Sequence, residues 1–442
     1  MLHIENEPRA AWVIDRLHAA GHAAYAVGGC VRDALLGREP NDWDVCTDAA
    51  PERVIEVFGA ASCILTGIRH GTVTVRTQGM SVEVTTFRTE GAYSDGRHPD
   101  SVAFVSDVRE DLSRRDFTVN AMAYCDGEGL IDPFGGQGDL EAGVLRAVGD
   151  PYERFSEDAL RILRLFRFGA KLRFALEEET RCAALALREN LSHVSVERVF
   201  SELSKLLVSE NPSAYLPFEL ARVCLPEATS GGDQVYARRL RAMDAAPAEL
   251  EVRLAALLCD EGEATARDAL MRLHCSKALT DAVALLVRER NITQAEDEKA
   301  LRVQARRCLS RMALEDIARL KALRDAHIAA GVAGGDAQME ASEADVSMRD
   351  TSVAAQGDLG KLHACAQSFA MSGECCRVAQ LAVNGGQLRE TLGVCGPALG
   401  ALLAWLLERV ILEELPNERD ALVRAARMHL SEDVAAKSLG RE

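Results

Sequence analysis

Strand-like alternation is confined to the N-terminal part of this chain, and that asymmetry limits the folds open to it. Residues 70–87, "HGTVTVRTQGMSVEVTTF", alternate apolar and polar on both sides of "TQGM", which predicts a β-hairpin. Ahead of it, residues 10–20 have helical spacing, followed by a short strand at "AAYAV", a short helix at "CVRDALLG" and a second strand at "WDVCT". Residues 1–150 therefore combine helices with a small mixed sheet. From residue 152 to residue 330 nearly every segment carries helical periodicity, and no strand is predicted. The fold class is α+β, with a sheet-containing head followed by a long helical remainder.

At 442 residues the chain exceeds one compact core and divides into roughly two to four domains. Residues 329–372 are small, polar and acidic, and read as a flexible linker or surface insertion; helical character returns at "CCRVAQLAVNGGQLRETLG" and lasts to the end. Thirteen cysteines, an odd number without C-x-x-C pairs, argue against a disulfide framework or a structural zinc site and fit a reducing cytoplasm. The N-terminus has early acidic residues and no apolar segment, unlike a signal peptide. The apolar run "ALGALLAWLLERVILEEL" is broken by Glu408 and Arg409 and is too short to span a bilayer, so no membrane is expected. A net charge of −17 argues against a generic nucleic-acid binder but leaves room for a local basic cleft.

Three motifs carry chemistry. "VGGCVRD" sets Gly28 and Gly29 between a strand and a helix, with Arg32 and Asp33 just inside that helix. Backbone N–H groups at such a turn hold phosphate oxygens, and Arg32 supplies a cation. "NDWDV" puts Asp42 and Asp44 two apart on a strand, so both carboxylates leave one face; Mg²⁺ is the ordinary compensation for that repulsion. Glu83, in "VEVTTF", is either a third ligand or a solvated strand residue.

"SEDALRILRLFRF", residues 156–168, opens with a cap-like Ser156 and has apolar residues all round the helical wheel. Asp158, Arg161, Arg164 and Arg167 recur every third residue on this buried helix. A carboxylate only accepts hydrogen bonds and a guanidinium only donates them. Cytosine and adenine share an exocyclic amine beside a ring-nitrogen acceptor, so Asp158 can take the amine and Arg161 the ring nitrogen. Guanine and uracil would turn a carbonyl toward the carboxylate. Arg164 and Arg167, one and two turns on, either reach a phosphate or a base from the same helix or belong to a buried ion-pair ladder joining head to neck, a reading that competes most closely at Arg167.

These motifs, together with "RRDFTVNAMAY", "IDPFGGQGDL" and "SVERVFSEL", stand in the order seen in class II tRNA nucleotidyltransferases, the bacterial-type CCA-adding enzymes. The chain resembles that family densely over residues 20–210 and more faintly toward the C-terminus. The resemblance implies a polymerase-β-like head (1–150), a helical neck with the nucleotide-selecting helix (151–215), a helical body (216–328) and a tRNA-binding helical tail (373–442). It implies Mg²⁺ on Asp42 and Asp44, a triphosphate held by Gly29 and Arg32, and nucleotide contacts from Arg115, Asp158, Arg161, Arg164 and Arg167, with Asp116 and Asn120 positioning the ribose. Its partners would be CTP, ATP and the tRNA acceptor arm; monomer and homodimer both stay open. The loop "RTEGAYSDGRHPD" is a feature of members that add the complete CCA. A poly(A) polymerase, a CC-only or A-only enzyme, and a non-catalytic nucleotide- or RNA-binding regulator are the alternatives.

One segment departs from its likeness. "RLAALLCDEG" is similar to the signature of metal-dependent HD phosphohydrolases, but Cys259 stands at the histidine position and "VRER" closes the segment without a histidine. The body is therefore expected to be structural. Adjacent Cys375 and Cys376 are expected to be ordinary thiols.

Overall fold

The computed structural model describes residue 4 and residues 7–77, 79–90, 102–332 and 359–439. The described chain forms two compact units. One runs to Asp233 and includes Arg272–Cys275; the other comprises Gln234–Met271 and the chain from Ser276 onward.

The first unit is built on a seven-stranded mixed sheet. Its strands are β1 (Ala24–Val27), β2 (Asp44–Thr47), β3 (Cys63–Ile64), β4 (Thr72–Thr77), β5 (Met80–Thr86), then β8 (Ala123–Cys125) and β9 (Gly129–Ile131); β6 (Arg88–Glu90) and β7 (Val102–Phe104) pair separately. The sheet order is β3-β4-β5-β2-β1-β8-β9. The hairpin read from residues 70–87 is β4–β5, and it buries Val73, Val75, Val82 and Val84, the apolar half of the alternation. β2 then lies parallel to β5, with Asp44 opposite Glu83. The helix Pro8–Ala19 starts where the Glu7 carboxylate accepts from the N–H groups of Arg9 and Ala10, with Pro8 in the first turn. Its Ala10, Val13, Ile14 and Leu17 are buried at 3–4 spacing, each large one contributing about 2 kcal/mol by leaving water.

The helical part of this unit departs from expectation in two places. Ala175–Leu176 form a strand paired in parallel with Val144–Leu145, a two-residue element too short to show alternation. Residues 156–168 are not one helix opened by Ser156. Ser156 lies inside the helix Pro151–Glu157; the chain extends at Asp158 (φ −135°, ψ 102°) and a second helix, Leu160–Leu172, follows. The Asp158 carboxylate accepts from the Leu160 N–H at 3.0 Å, so the capping role falls on Asp158. Ten residues of the second helix are buried, among them Phe166 and Phe168.

The second unit is helical throughout its described residues. Gly360–Ser372 corrects the expectation of a linker over 329–372: it is a helix, because Leu362, Ala366 and Phe369 share one buried face that its small, polar neighbours obscure. Residues 333–358 of that stretch, and 91–101 of the loop after β6, lie outside the described residues. The apolar run near the C-terminus forms the helix Pro397–Ile411, whose Leu402, Leu406 and Ile411 pack with Leu388, Leu422 and Ala426. Among the described residues no single helix is long and apolar enough to cross a membrane; Gly385–Leu392 and Pro397–Ile411 qualify only as a pair, bent by 111°.

Within this unit Cys259 does find a histidine, 68 residues along the chain: its Sγ lies 3.2 Å from His327 Nε2. His327 Nδ1 lies 2.7 Å from the Leu323 carbonyl and so donates, leaving Nε2 to accept from the thiol. Burial pushes the Cys259 thiol up to about 12, so it stays protonated. Asp260 turns instead to Arg238 (2.9 Å) and Arg239 (3.2 Å). All thirteen cysteines are free thiols, Cys376 buried and Cys375 partly so.

Candidate active site

The site is assembled around the end of β1. Gly28 has φ 82° and ψ −126°, a conformation that L side chains rarely adopt, and its N–H donates to the Met122 carbonyl at 3.1 Å. A Cβ here would sit 2.7 Å from Arg115 Nη1. The glycine is thus required by its torsion, and a side chain here would also have to displace the Arg115 guanidinium. Arg115 Nη2 reaches Asp111 Oδ2 at 3.4 Å, and Asp111, fully buried, also receives Arg114 at 2.8–3.0 Å. Arg115 Nε is buried and has no hydrogen-bond partner among the described residues. Gly29 opens the helix Gly29–Leu35 and is partly exposed. Arg32, by contrast, is buried: its guanidinium donates to Asp33 Oδ1 at 2.7–2.8 Å and to Asn120 Oδ1 at 2.5 Å.

Asp42 lies just before β2 and Asp44 is its first residue; both are exposed and Trp43 between them is buried, so the two carboxylates leave one side. Glu83 joins them through the β2–β5 register. None of the three makes an ion pair or side-chain hydrogen bond with a described residue. Although Asp44 is exposed as a residue, desolvation of its carboxyl, the Glu83 charge and, more weakly, that of Asp42 push it up to about 6, against the opposing pull of Arg115. Three carboxylates that face one another with Arg115 as their only nearby counter-charge among the described residues fit a divalent cation. Among the described residues no three acidic, imidazole or thiol groups close into a preformed metal cage. That suits a cation which takes one or two carboxylates from the protein and phosphate oxygens from a ligand.

The row of charges on the buried helices has a partner for every member. Arg161 donates to Glu157 Oε2 (2.6 Å) and to the carbonyls of Arg154 (3.2 Å) and Arg114 (2.9 Å). Arg164 donates twice to Asp116 Oδ2, at 2.8 and 2.6 Å. Arg167 pairs with Glu202, and Asp158 Oδ2 accepts from Arg198 Nη2 at 3.0 Å. The guanidiniums of Arg32, Arg164 and Arg167 surround the Phe168 ring at 5.3, 5.2 and 3.8 Å from its centre. Asp116 is buried, which alone would raise its carboxyl, yet Arg164 and the Asn120 amide hold it down at about 2. These pairs tie residues 114–116 to the helix Leu160–Leu172, and tie that helix and Asp158 in turn to the helices Pro151–Glu157 and Val196–Leu207. Leu160–Leu172 and Val196–Leu207 carry Arg167 and Glu202, an ion pair within residues 151–215; the head-to-neck ion pair considered from the sequence is made by Arg164 and Asp116 instead.

Four participants were not legible beforehand: Asp111, Glu157, Arg198 and Glu202. The signal for Arg198 and Glu202 was weak, a charged i,i+4 pair inside the amphipathic pattern "SVERVFSEL", which reads equally as a solvated face.

Comparisons with known proteins agree with this architecture. Residues 24–146 match the Poly A polymerase head domain family, 173–228 the family described as a probable RNA and SrmB-binding site of polymerase A, and 363–426 the putative tRNA nucleotidyltransferase domain 2 family. The CCA-adding enzyme of Lactiplantibacillus plantarum is 34% identical over 427 residues, covering 94% of this chain and 95% of that protein. That of Lactobacillus delbrueckii subsp. bulgaricus is 52% identical over 199 residues, 45% of this chain and 50% of its own length. The crystal structure of the Bacillus stearothermophilus CCA-adding enzyme in complex with CTP superposes with a TM-score of 0.73 at 29% identity, over 98% of this chain and 100% of that one. The chain belongs to the CCA-adding enzymes, nucleotidyltransferases of the polymerase-β superfamily, which generally work with a divalent metal ion.

Proposed function

We propose that this chain, working in the cytoplasm, adds C, C and A in turn to the 3′ end of tRNA from CTP and ATP, with Asp42 and Asp44 as the ligands of Mg²⁺. The observation that carries the metal assignment is the trio Asp42, Asp44 and Glu83, opposed among the described residues only by the nearby Arg115. Mg²⁺ bound there would supply Lewis-acid activation of the attacking 3′-oxygen and charge stabilisation on the leaving pyrophosphate. In the reaction the tRNA 3′-hydroxyl gives up its proton to solvent, its oxygen bonds to the α-phosphorus, the bond from that phosphorus to the bridging oxygen breaks, and pyrophosphate departs.

The protein's own residues bind and orient. The partly exposed Gly29 turn and Arg115, whose Nε lacks a partner among the described residues, meet the phosphates. Arg32, enclosed by Asp33 and Asn120, braces that turn from beneath and lends its positive charge. Asp158 has two acceptor directions in use and two left, enough to take the exocyclic amine of cytosine or adenine. Arg161 uses three of its five N–H groups on protein, leaving a donor for the ring nitrogen. Arg164 and Arg167 keep this helix charged and aligned along the nucleotide pocket. Asp116 and Asn120, fixed to each other at 3.1 Å, position the ribose. The tail and body carry the acceptor arm by shape and backbone contact.

The test is extension of tRNAs lacking one, two or three terminal nucleotides by the purified protein in Mg²⁺. Stepwise addition of C, C and A, abolished in folded Asp42→Ala and Asp44→Ala variants, is expected. Long A tracts would mark a poly(A) polymerase instead, and near-normal turnover by either variant would overturn the metal assignment.

A further inference from the structure

A cavity of about 740 Å³ opens in the second unit, well away in sequence from every catalytic motif. One wall is a face of the helix Glu298–Arg311 on which Lys299, Val303, Arg307 and Arg311 follow one another at steps of four. The opposite wall is the loop 291–297. Gln304 holds that loop in place, donating to the Thr293 carbonyl (2.5 Å) and accepting from the Ala295 N–H (2.9 Å). The cavity is therefore preformed rather than a gap between mobile surfaces.

Its charge runs against the rest of the chain. Arg288, Lys299, Arg307 and Arg311 line it, against Glu289 and Asp297, on a protein of net charge −17. Arg288 is matched by Glu289 (3.0 Å), Arg307 by Glu408 (2.8 Å), and the Asp297 carboxylate caps Ala300 N (2.7 Å). Lys299 and Arg311 are exposed and have no carboxylate partner among the described residues; Arg311 donates to the Arg307 carbonyl and lies against the Cys308 thiol. Between the cations, Ile292, Val303 and Leu412 make an apolar floor, and the exposed Asn291 offers a carboxamide beside it.

We propose that this cavity is a second nucleotide site, which takes a nucleoside polyphosphate with its phosphates on Lys299 and Arg311 and its ring on the apolar floor. The volume falls within the range of small-molecule pockets, and cations beside an apolar floor match a ligand that is charged at one end and planar at the other. An RNA strand lying across the surface would need the cations but not the apolar floor.

Hydrogen exchange of the full-length protein, with ADP, inorganic tripolyphosphate or tRNA added separately, tests this. ADP should slow exchange across residues 291–311. A Lys299→Glu, Arg311→Glu double variant should weaken that protection about a hundredfold, since two charge-assisted contacts are lost. Both side chains are exposed, so the variant's melting temperature should match the wild type. Absence of protection at saturating ADP, or protection that survives the double variant, would overturn the site. Equal protection by tripolyphosphate would remove the nucleoside from the assignment, and protection by tRNA alone would make it an RNA surface.

Discussion

Replacing Arg164 by methionine strands a buried carboxylate, and the structure sets the size of the effect. Asp116 receives two hydrogen bonds from Arg164, one from the Asn120 amide and one from the Phe117 N–H at 2.9 Å, and is held at about 2 against an ordinary 3.8. That difference corresponds to about 2 kcal/mol favouring the ionised form, after burial has already worked against it. The depressed value stabilises the fold above pH 3.8, and this contribution is lost as pH falls through about 2. Removing Arg164 forfeits the net stabilisation and exposes the opposing desolvation, for a loss of about 3–5 kcal/mol near neutral pH. Asp116→Asn in the same background removes the stranded charge and should restore most of the loss. The measurement is the opening free energy of the Leu160–Leu172 amides by native-state hydrogen exchange in wild type, both single variants and the double variant. If Arg164→Met alone costs less than about 1 kcal/mol, or the single-variant losses simply add, the pair does not hold these segments together.

Asp44 titrates near 6, so CCA addition should fall as pH drops below that value, with the ionised carboxylate as the active form. Glu83→Gln removes a like charge and should move this acid limb to lower pH in a pH–rate profile; an unmoved limb would separate Glu83 from the site. Gly28→Ala combines a strained φ with a collision at Arg115 and should cut turnover about a hundredfold with little change in global melting. Asp158→Ala should let UTP or GTP compete, while Arg161→Ala should weaken CTP and ATP alike; kcat/KM for the four nucleotides on a tRNA without its CCA end distinguishes base reading from mere scaffolding. No phosphohydrolase activity is expected from the Cys259 region, and metal-dependent hydrolysis that survives Asp42→Ala would reveal a second catalytic centre.

Local periodicity and turn chemistry carried the head. The β4–β5 hairpin, the glycine turn after β1 and the shared face of Asp42 and Asp44 all depend on residues within a few positions of one another, so their sequence spacing translates directly into geometry. The spacing of Asp158, Arg161, Arg164 and Arg167 likewise revealed a charged row on a buried helix. What it did not reveal was where each charge would go. A guanidinium pairs with any carboxylate brought to it, and Arg164 meets Asp116 from 48 residues away, Arg167 meets Glu202 from 35, and Asp158 meets Arg198 from 40. The break at Asp158 is of the same kind, since an extended residue between two helical patterns leaves the apolar wheel almost unchanged. His327 reaches Cys259 across 68 residues, and Gly360–Ser372 is a helix because its few apolar side chains find a surface to cover. Elements follow from short-range sterics and hydrogen bonding, which the chain carries everywhere along itself. Partners follow from which surfaces packing brings together, and that is decided only when the apolar faces have closed.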